Sequence, residues 1–333
     1  ESPYYDWFYF QRWPDQYASW WGIYSLPTTN KESPSWLEYI TGENGVIRSW
    51  LRCGADGWRL DVADELPDLV VNAIHAAARA EKPDAVIIGE VWEDASTKVA
   101  YDVRRRHVLG GHCDGVMNYP LRNSLLSFLL GGNGAGFRDT MEALRQNYPG
   151  WAYRSCMNSL GTHDTLRALT LLGVGGDKRG DTSRDWRFAH RLSPEERTVA
   201  VARLKLGSLL LYAFPGAPTL YYGDEAGMEG FEDPFNRRTF PWGHEDPQLT
   251  AWFSTLGQLR KHTPALRRGD LTWLTCSDSV VSFSRTWAGE TLIAAANAAP
   301  REAGLTLPDG SHQKLQPMEG LLLAESGQVL LRT

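Results

Sequence analysis

Four cysteines, Cys53, Cys113, Cys156 and Cys276, are the whole complement of this 333-residue chain, and no two lie within forty residues of each other. Zinc knuckles and disulfide frameworks need tighter spacing, so neither is expected. Cys113 and Cys156 fall in apolar runs and read as small buried hydrophobes. Basic clusters are as scarce: no Lys/Arg run exceeds the "RRR" at 104–106, the net charge is −6 and the pI is near 5.8, which argues against a nucleic-acid surface. The longest apolar run, "LGSLLLYAFPGAP", breaks too early to span a bilayer, so no membrane helix is expected. No basic-then-apolar leader opens the chain, and a cytoplasmic location is the expectation. A G-x-S-x-G elbow is missing, "GGNGAG" fails the dinucleotide spacing because residue 137 is Phe, and "GHEDP" is not H-E-x-x-H. His112 beside Cys113 is a lone pair of ligand types, too few for a metal.

Aromatic residues, by contrast, are abundant. Fourteen Trp, thirteen Tyr and eleven Phe supply flat apolar faces with polar edges, suited both to cores and to sugar rings. The chain opens on an aromatic stretch, "ESPYYDWFYFQRWPDQYASWWG", that reads like the middle of a protein. A strand–helix rhythm follows. "NGVIRSWLRCG", "LPDLVVNAIHAAARAEKPD", "LRNSLLSFLL" and "FRDTMEALRQNYP" read as helices. "GADGWRLDVADELP", "AVIIGEVWED", "CDGVMNYP", "SCMNSLGTHDT" and "TLYYGDEAG" read as strands. Residues 173–192 form a long polar connection, expected to be a functional or lid-like loop. Ser193-Pro194-Glu195-Glu196 spells a capping box for a helix reaching about Ala213, and Asp246-Pro247 starts another ending near Thr263. From Leu271 onward short alternating runs predict an all-β region.

Strand–helix alternation five times over predicts a parallel β/α fold. Each predicted strand is apolar at its start and carries its polar residues at its C-terminal end: Asp61 and Glu65, Glu90 and Glu93, Asn118, His163 and Asp164, Asp224 and Glu225. Active sites of β/α barrels form at that end. Acids at the tips of three strands suit glycoside cleavage, which needs an ionised nucleophile and a second carboxyl kept protonated as general acid. Arg59 next to Asp61 favours ionisation there; Glu90, closing the apolar "AVIIGE" ahead of Trp92, is placed for desolvation to raise its pKa.

"DGWRLDVADE", "IIGEVWED" and "SLGTHDT" resemble three conserved segments of the α-amylase family (glycoside hydrolase family thirteen), nearest its neopullulanase, cyclomaltodextrinase and maltogenic-amylase branch. The resemblance implies a (β/α)8 TIM barrel, with strands four to eight in this chain, followed by a small all-β C-terminal domain. It divides the chain into the end of an insertion between barrel strand three and helix three (1–30), barrel (31–268) and a β-sandwich (269–333). It implies Asp61 as nucleophile, Glu90 as acid/base and Asp164 as transition-state stabiliser. Arg59 and His163 would contact the sugar at the cleavage point, and Glu65 and Trp92 the leaving-group side. "DPFNR" resembles the segment whose Asp233 and Arg237 hold the next glucose on the non-reducing side.

The implied activity is retaining hydrolysis of α-1,4-glucosidic bonds in malto-oligosaccharides, cyclodextrins or pullulan, with transglycosylation as a side activity. An α-1,6-active or exo-acting α-glucosidase, or a non-catalytic α-glucan-binding protein, are the alternatives. No cofactor is required, and a structural calcium is not indicated by any residue pattern. An α-glucan oligosaccharide is the implied partner, with a second copy of the chain as a further candidate and neither nucleic acid nor membrane. Two departures stand out. "LPTTN" (26–30) carries Thr28 and Thr29 where the branch has a charged or longer residue, and the family's first signature, an Asp and an Asn-His pair, is missing. The expectation is therefore that a preceding barrel segment, on the same or a separate chain, completes the enzyme and is needed for activity.

Overall fold

A computed structural model describes residues 2–177 and 182–333, so part of the polar connection 173–192 lies outside the described residues. Two compact units meet in sequence at Met117 and Asn118.

The first unit is built on a parallel three-stranded sheet, Gly57–Leu60, Val86–Gly89 and Gly115–Val116 in that order. Arg59 pairs with Ile88 and Leu60 with Gly89, so the polar tips of the first two strands end level. The alanine-rich helix Asp68–Glu81 buries Val70, Val71, Ile74, Ala77 and Ala78, one face of a 3.6-residue period. They pack with Ile47, Leu51, Leu60, Ile87 and Cys113. Arg79 anchors the helix end, donating to the Pro83 carbonyl at 2.6 Å and to Asp114 at 2.5 Å. Ahead of this core, residues 4–24 form a layer of rings in contact with one another, including Tyr5 on Phe10 (5.0 Å between centroids) and Trp20 on Trp21 (4.6 Å).

The second unit follows the helix signals closely. Ser193 Oγ accepts from the Glu196 amide (3.1 Å) while Glu196 accepts from the Ser193 amide (2.8 Å), and the helix runs Pro194–Ala213. Asp246 caps Pro247–His262, accepting from the amides of Gln248 and Leu249. The "GGNGAG" stretch forms a helix cap: Asn133 accepts from the Gly136 amide, and helix Gly134–Asn147 begins inside it. Strand Met157–Asn158 pairs in parallel with Ala217–Pro218. The strand expected in "TLYYGDEAG" thus lies just ahead of that segment, at Ala217–Pro218. After the Thr219 amide reaches the Asn158 carbonyl (2.7 Å), residues 221–228 turn tightly, with Tyr221 and Tyr222 facing a buried arginine rather than a neighbouring strand. The C-terminal region holds an antiparallel sheet of Asp270–Cys276, Val280–Trp287, Glu290–Asn297, Gly320–Ala324 and Val329–Arg332, and a separate hairpin, Ala303–Thr306 with His312–Leu315. Leu305, Leu307 and Leu315 of that hairpin segment bury against Ile293 and Leu323.

Gly57 starts the strand that carries Arg59 because only hydrogen fits there: a β-carbon would lie 2.0 Å from the Val86 carbonyl oxygen. Gly57→Ala should therefore cost about 1–3 kcal/mol through forced separation of the two strands. Gly304→Ala, with open space at the β-position, is the neutral control. Urea midpoints at unchanged m-value measure both.

Candidate active site

The first unit brings five of the expected residues together at its strand tips. The ladder continues past the strands: the Glu90 amide donates to the Leu60 carbonyl (3.0 Å) and the Ala63 amide to the Glu90 carbonyl (3.1 Å). This fixes Glu90 beside Asp61. One guanidinium spans the two acids, with Arg59 Nη1 donating to Asp61 Oδ1 and Nη2 lying 2.9 Å from Glu90 Oε2. Glu90 Oε2 also accepts from the Val62 amide (2.7 Å), and Oε1 from Trp92 Nε1 (3.2 Å). The two carboxylates differ sharply in exposure: 77% for the Asp61 side chain and 5% for Glu90. Asp61 is open to an incoming reactant, whereas Glu90 is held on both oxygens.

Glu65 is held on both oxygens as well, Oε1 accepting from Trp21 Nε1 (3.1 Å) and Oε2 from the Tyr101 hydroxyl. That bond raises the Tyr101 pKa. Lys31 lies close enough for its charge to be felt by Glu65, although burial lowers its pKa. The next carboxylate, Asp64, faces inward. Burial pushes its pKa up, but bonds with His107 (2.8 Å) and Lys98 (3.2 Å) more than reverse this, so it stays below the ordinary range. Sequence reading missed Trp21, Lys31, His107 and Tyr101, none of which lies in a motif; the acidic run 61–65 was a signal that cations and ring donors must be near. Cys113 is inert, its thiol pushed up to about 12 by burial.

Backbone strain concentrates around these acids. Val62, Trp21 and Tyr101 adopt positive φ of 37°, 49° and 53°, a region that costs non-glycine residues about 1–3 kcal/mol each. The turn at Val62 aims its amide at Glu90 and begins the short helical turn Ala63–Glu65 that carries Asp64 and Glu65.

The second unit gathers His163, Asp164, Asp233 and Arg237. Buried Asn236 donates to the carbonyls of His163 and Thr165, both at 2.7 Å, tying the two segments together. Arg237 Nη2 then lies 3.4 Å from Asp164 and 3.3 Å from Asp233, and His163 Nε2 lies 3.2 Å from Asp164. A guanidinium between two carboxylates thus appears in each unit.

Beneath this cluster Arg167 is fully buried, its guanidinium over the rings of Tyr221 (4.5 Å) and Tyr222 (4.7 Å) and 3.6 Å from Asp224. Burial raises Asp224 to about 7, with Arg167 offsetting only part. A cavity of about 760 Å³ lined by Arg197, Met228, His244 and Asp246 contains none of the candidate residues. Among the described residues, no three His, Cys, Asp or Glu are placed to hold a metal ion, and no helix is long and apolar enough to cross a membrane.

The alpha-amylase catalytic-domain model matches residues 4–267. An amylopullulanase of Thermoanaerobacter thermohydrosulfuricus is 35% identical over 86% of this chain and 20% of its own length. A cyclomaltodextrinase of Geobacillus thermopakistaniensis is 32% identical over 92% of this chain and 48% of its own. The chain therefore spans between a fifth and a half of these curated relatives. Among solved structures, a cyclic α-maltosyl-(1→6)-maltose hydrolase of Arthrobacter globiformis superposes with a TM-score of 0.81 at 26% identity, covering 97% of this chain and 68% of that one. The fold class is the (β/α)8 barrel with an antiparallel β region after it, as the resemblance of the motifs implies.

Asp224 has a pH signature. Its folded pKa of about 7 exceeds the ordinary 3.8, so its contribution to stability is complete below pH 3.8 and is lost as pH rises through 7. Asp224→Asn removes that loss. Its melting temperature relative to the unsubstituted protein should climb from pH 4 to 7 and level off above; parallel melting curves across that range would show that Asp224 does not titrate there.

Proposed function

The chain belongs to the alpha-amylase family, and from that premise we propose that it carries the catalytic residues of a retaining α-glucoside hydrolase. The substrates are malto-oligosaccharides, cyclodextrins or pullulan, cleaved at α-1,4 bonds, with glycosyl transfer to sugar acceptors as the competing outcome. The observation that carries the reading is the Arg59 fork between an open Asp61 and a buried Glu90. Double displacement uses that asymmetry. An Asp61 oxygen attacks the anomeric carbon as the bond to the leaving oxygen breaks, and protonated Glu90 delivers its proton to that oxygen. Water then attacks the glycosyl ester, Glu90 takes its proton back, and Asp61 is released as carboxylate. Asp164 stabilises the positive charge developing at the sugar ring. Arg59 and His163 hold the sugar at the cleavage point, Asp233 and Arg237 the glucose before it, and Glu65 and Trp92 the leaving-group side.

A second reading, cleavage of α-1,6 bonds, is favoured by a relative named for a substrate with a 1→6 link, the cyclic α-maltosyl-(1→6)-maltose hydrolase. Pullulan separates the two readings, because α-1,6 cleavage releases maltotriose and α-1,4 cleavage releases trisaccharides that retain an α-1,6 link.

Glu90→Gln should lower turnover of maltotriose by about 10²–10⁴-fold, while α-glucosyl fluoride, whose leaving group needs no proton, is spared in the glycosylation step. Asp61→Asn should lose both substrates. A variant that keeps a tenth of normal activity on maltotriose removes its residue from the mechanism. Arg59→Lys should lose at least about tenfold in kcat/KM, because a point charge cannot span both carboxylates as the planar fork does; near-normal kcat/KM in that variant would reduce Arg59 to its charge alone.

A further inference from the structure

The second unit holds a cavity of about 250 Å³ lined by Arg145, Tyr153, Arg154, Pro215, Gly269 and Asp270. Tyr153 and Pro215 precede the strands Met157–Asn158 and Ala217–Pro218, so the cavity lies at their start, whereas His163 and Asp164 follow the first of them. Small-molecule sites usually span about 300–1,000 Å³, so this one suits a small ion or ester rather than an oligosaccharide. Tyr153 is only 7% exposed, and its buried hydroxyl has no hydrogen-bond partner. An unpaired buried hydroxyl is costly. Burial raises the pKa of this one, so it keeps its proton and can donate it. Arg145 gives Nε (2.9 Å) and Nη2 (2.6 Å) to Glu142, and Arg154 gives Nη2 to Asp270 (2.9 Å). Both arginines are half exposed, so neither pair is tightly committed. Arg154 Nη1 lies 3.3 Å from the place a β-carbon on Gly150 would take, and Gly150 lines the same cavity. Arg285, whose charge is felt at Tyr153, is spent on the carbonyls of Gly269 and Ala213 and pairs with no carboxylate among the described residues. Three guanidiniums against the carboxylates of Glu142 and Asp270 leave the surroundings of the hydroxyl positive.

We propose that this cavity is a binding site for a small oxyanion of the phosphate class, free or carried on a small ester, held by the Tyr153 hydroxyl and the guanidiniums of Arg145 and Arg154. A cation would be repelled there, and a neutral ligand would leave the excess positive charge unanswered. Planar guanidinium forks match phosphate oxygens in pairs, and a phenol proton adds a donor from the buried side. The occupant would join helix Gly150–Ser155 to the start of the antiparallel sheet, a junction that the Arg154–Asp270 pair already makes from outside. Binding to the folded state alone then stabilises it. The site is separate from the strand-tip acids and does not rest on the hydrolase reading.

The test titrates the protein with inorganic phosphate and with methyl phosphate against potassium chloride at matched ionic strength, reading melting temperature and calorimetric binding. The unsubstituted protein should bind phosphate saturably and melt higher in it than in chloride. A rise without saturation is general salt exclusion and overturns the proposal. Arg145→Gln and Arg154→Gln should each weaken phosphate about tenfold, and Tyr153→Phe at least about threefold, as loss of bonds to a charged group predicts. Glu142→Gln releases Arg145 and should tighten binding, while Arg138→Gln, on the same helix but outside the cavity, should leave it unchanged. Tyr153→Phe also has a signature without phosphate. In chloride it should melt above the unsubstituted protein, because it deletes an unpaired buried group; melting below it shows the hydroxyl already bonded and overturns the proposal. Equal phosphate affinity in all variants, or none in the unsubstituted protein, overturns it as well. Methyl phosphate binding as tightly as phosphate supports an ester as occupant, and phosphate alone binding supports the free ion. Where an arginine variant fails to fold, the affinity of Tyr153→Phe, which keeps the ring, decides.

Discussion

The first unit turns on the junction between Leu60 and Glu90. Parallel pairing brings two strand tips level, and the ladder then runs one step further through backbone bonds on either side of Glu90. That extra step forces a side-chain problem: Arg59, Asp61 and Glu90 come together at the edge of an apolar sheet. Left unpaired, a carboxylate as buried as Glu90 would be costly. The Val62 amide and the Trp92 indole each donate to one of its oxygens, and the Arg59 guanidinium lies 2.9 Å from it. The charged cluster and the pairing of the two strand tips are thus one arrangement.

Charge at strand ends was legible because physics gives it few explanations. An apolar run such as "AVIIGE" that ends on a carboxylate must place that group at a rim or against partners, and the strand Val86–Gly89 delivers Glu90 to just such a place. The capping boxes were legible for the same reason, since Ser193 and Glu196 satisfy amides that nothing else can reach. What escaped reading depends on tertiary context. Tyr221 and Tyr222 favour strands by propensity, yet the buried Arg167 claims their rings and the chain turns. Left-handed Val62, Trp21 and Tyr101 are invisible in sequence, as no glycine or asparagine marks them.

The second unit solves a related problem at its rear. The C-terminal carbonyls of helix Pro194–Ala213 would be orphaned where the chain turns at Phe214–Gly216. Arg260 donates to Tyr212 (2.5 Å), Phe214 (3.2 Å) and Gly216, while Arg285 reaches Ala213 from the antiparallel sheet. Burial lowers both guanidinium pKa values, to about 10 and about 9. Within this unit the β region is therefore wired to a helix by charge-assisted bonds and does not rest on apolar contact alone.

Val62 sets a limit on how this protein can drift. A β-branched residue at φ 37° is under standing tension, and glycine would relax it. Relaxation would also free the turn to swing, and with it the amide that holds Glu90 and the short helix bearing Glu65. Selection for a sturdier fold and selection to keep Glu90 held in place would push residue 62 in opposite directions, so variation there should be rare and paired with changes at its neighbours.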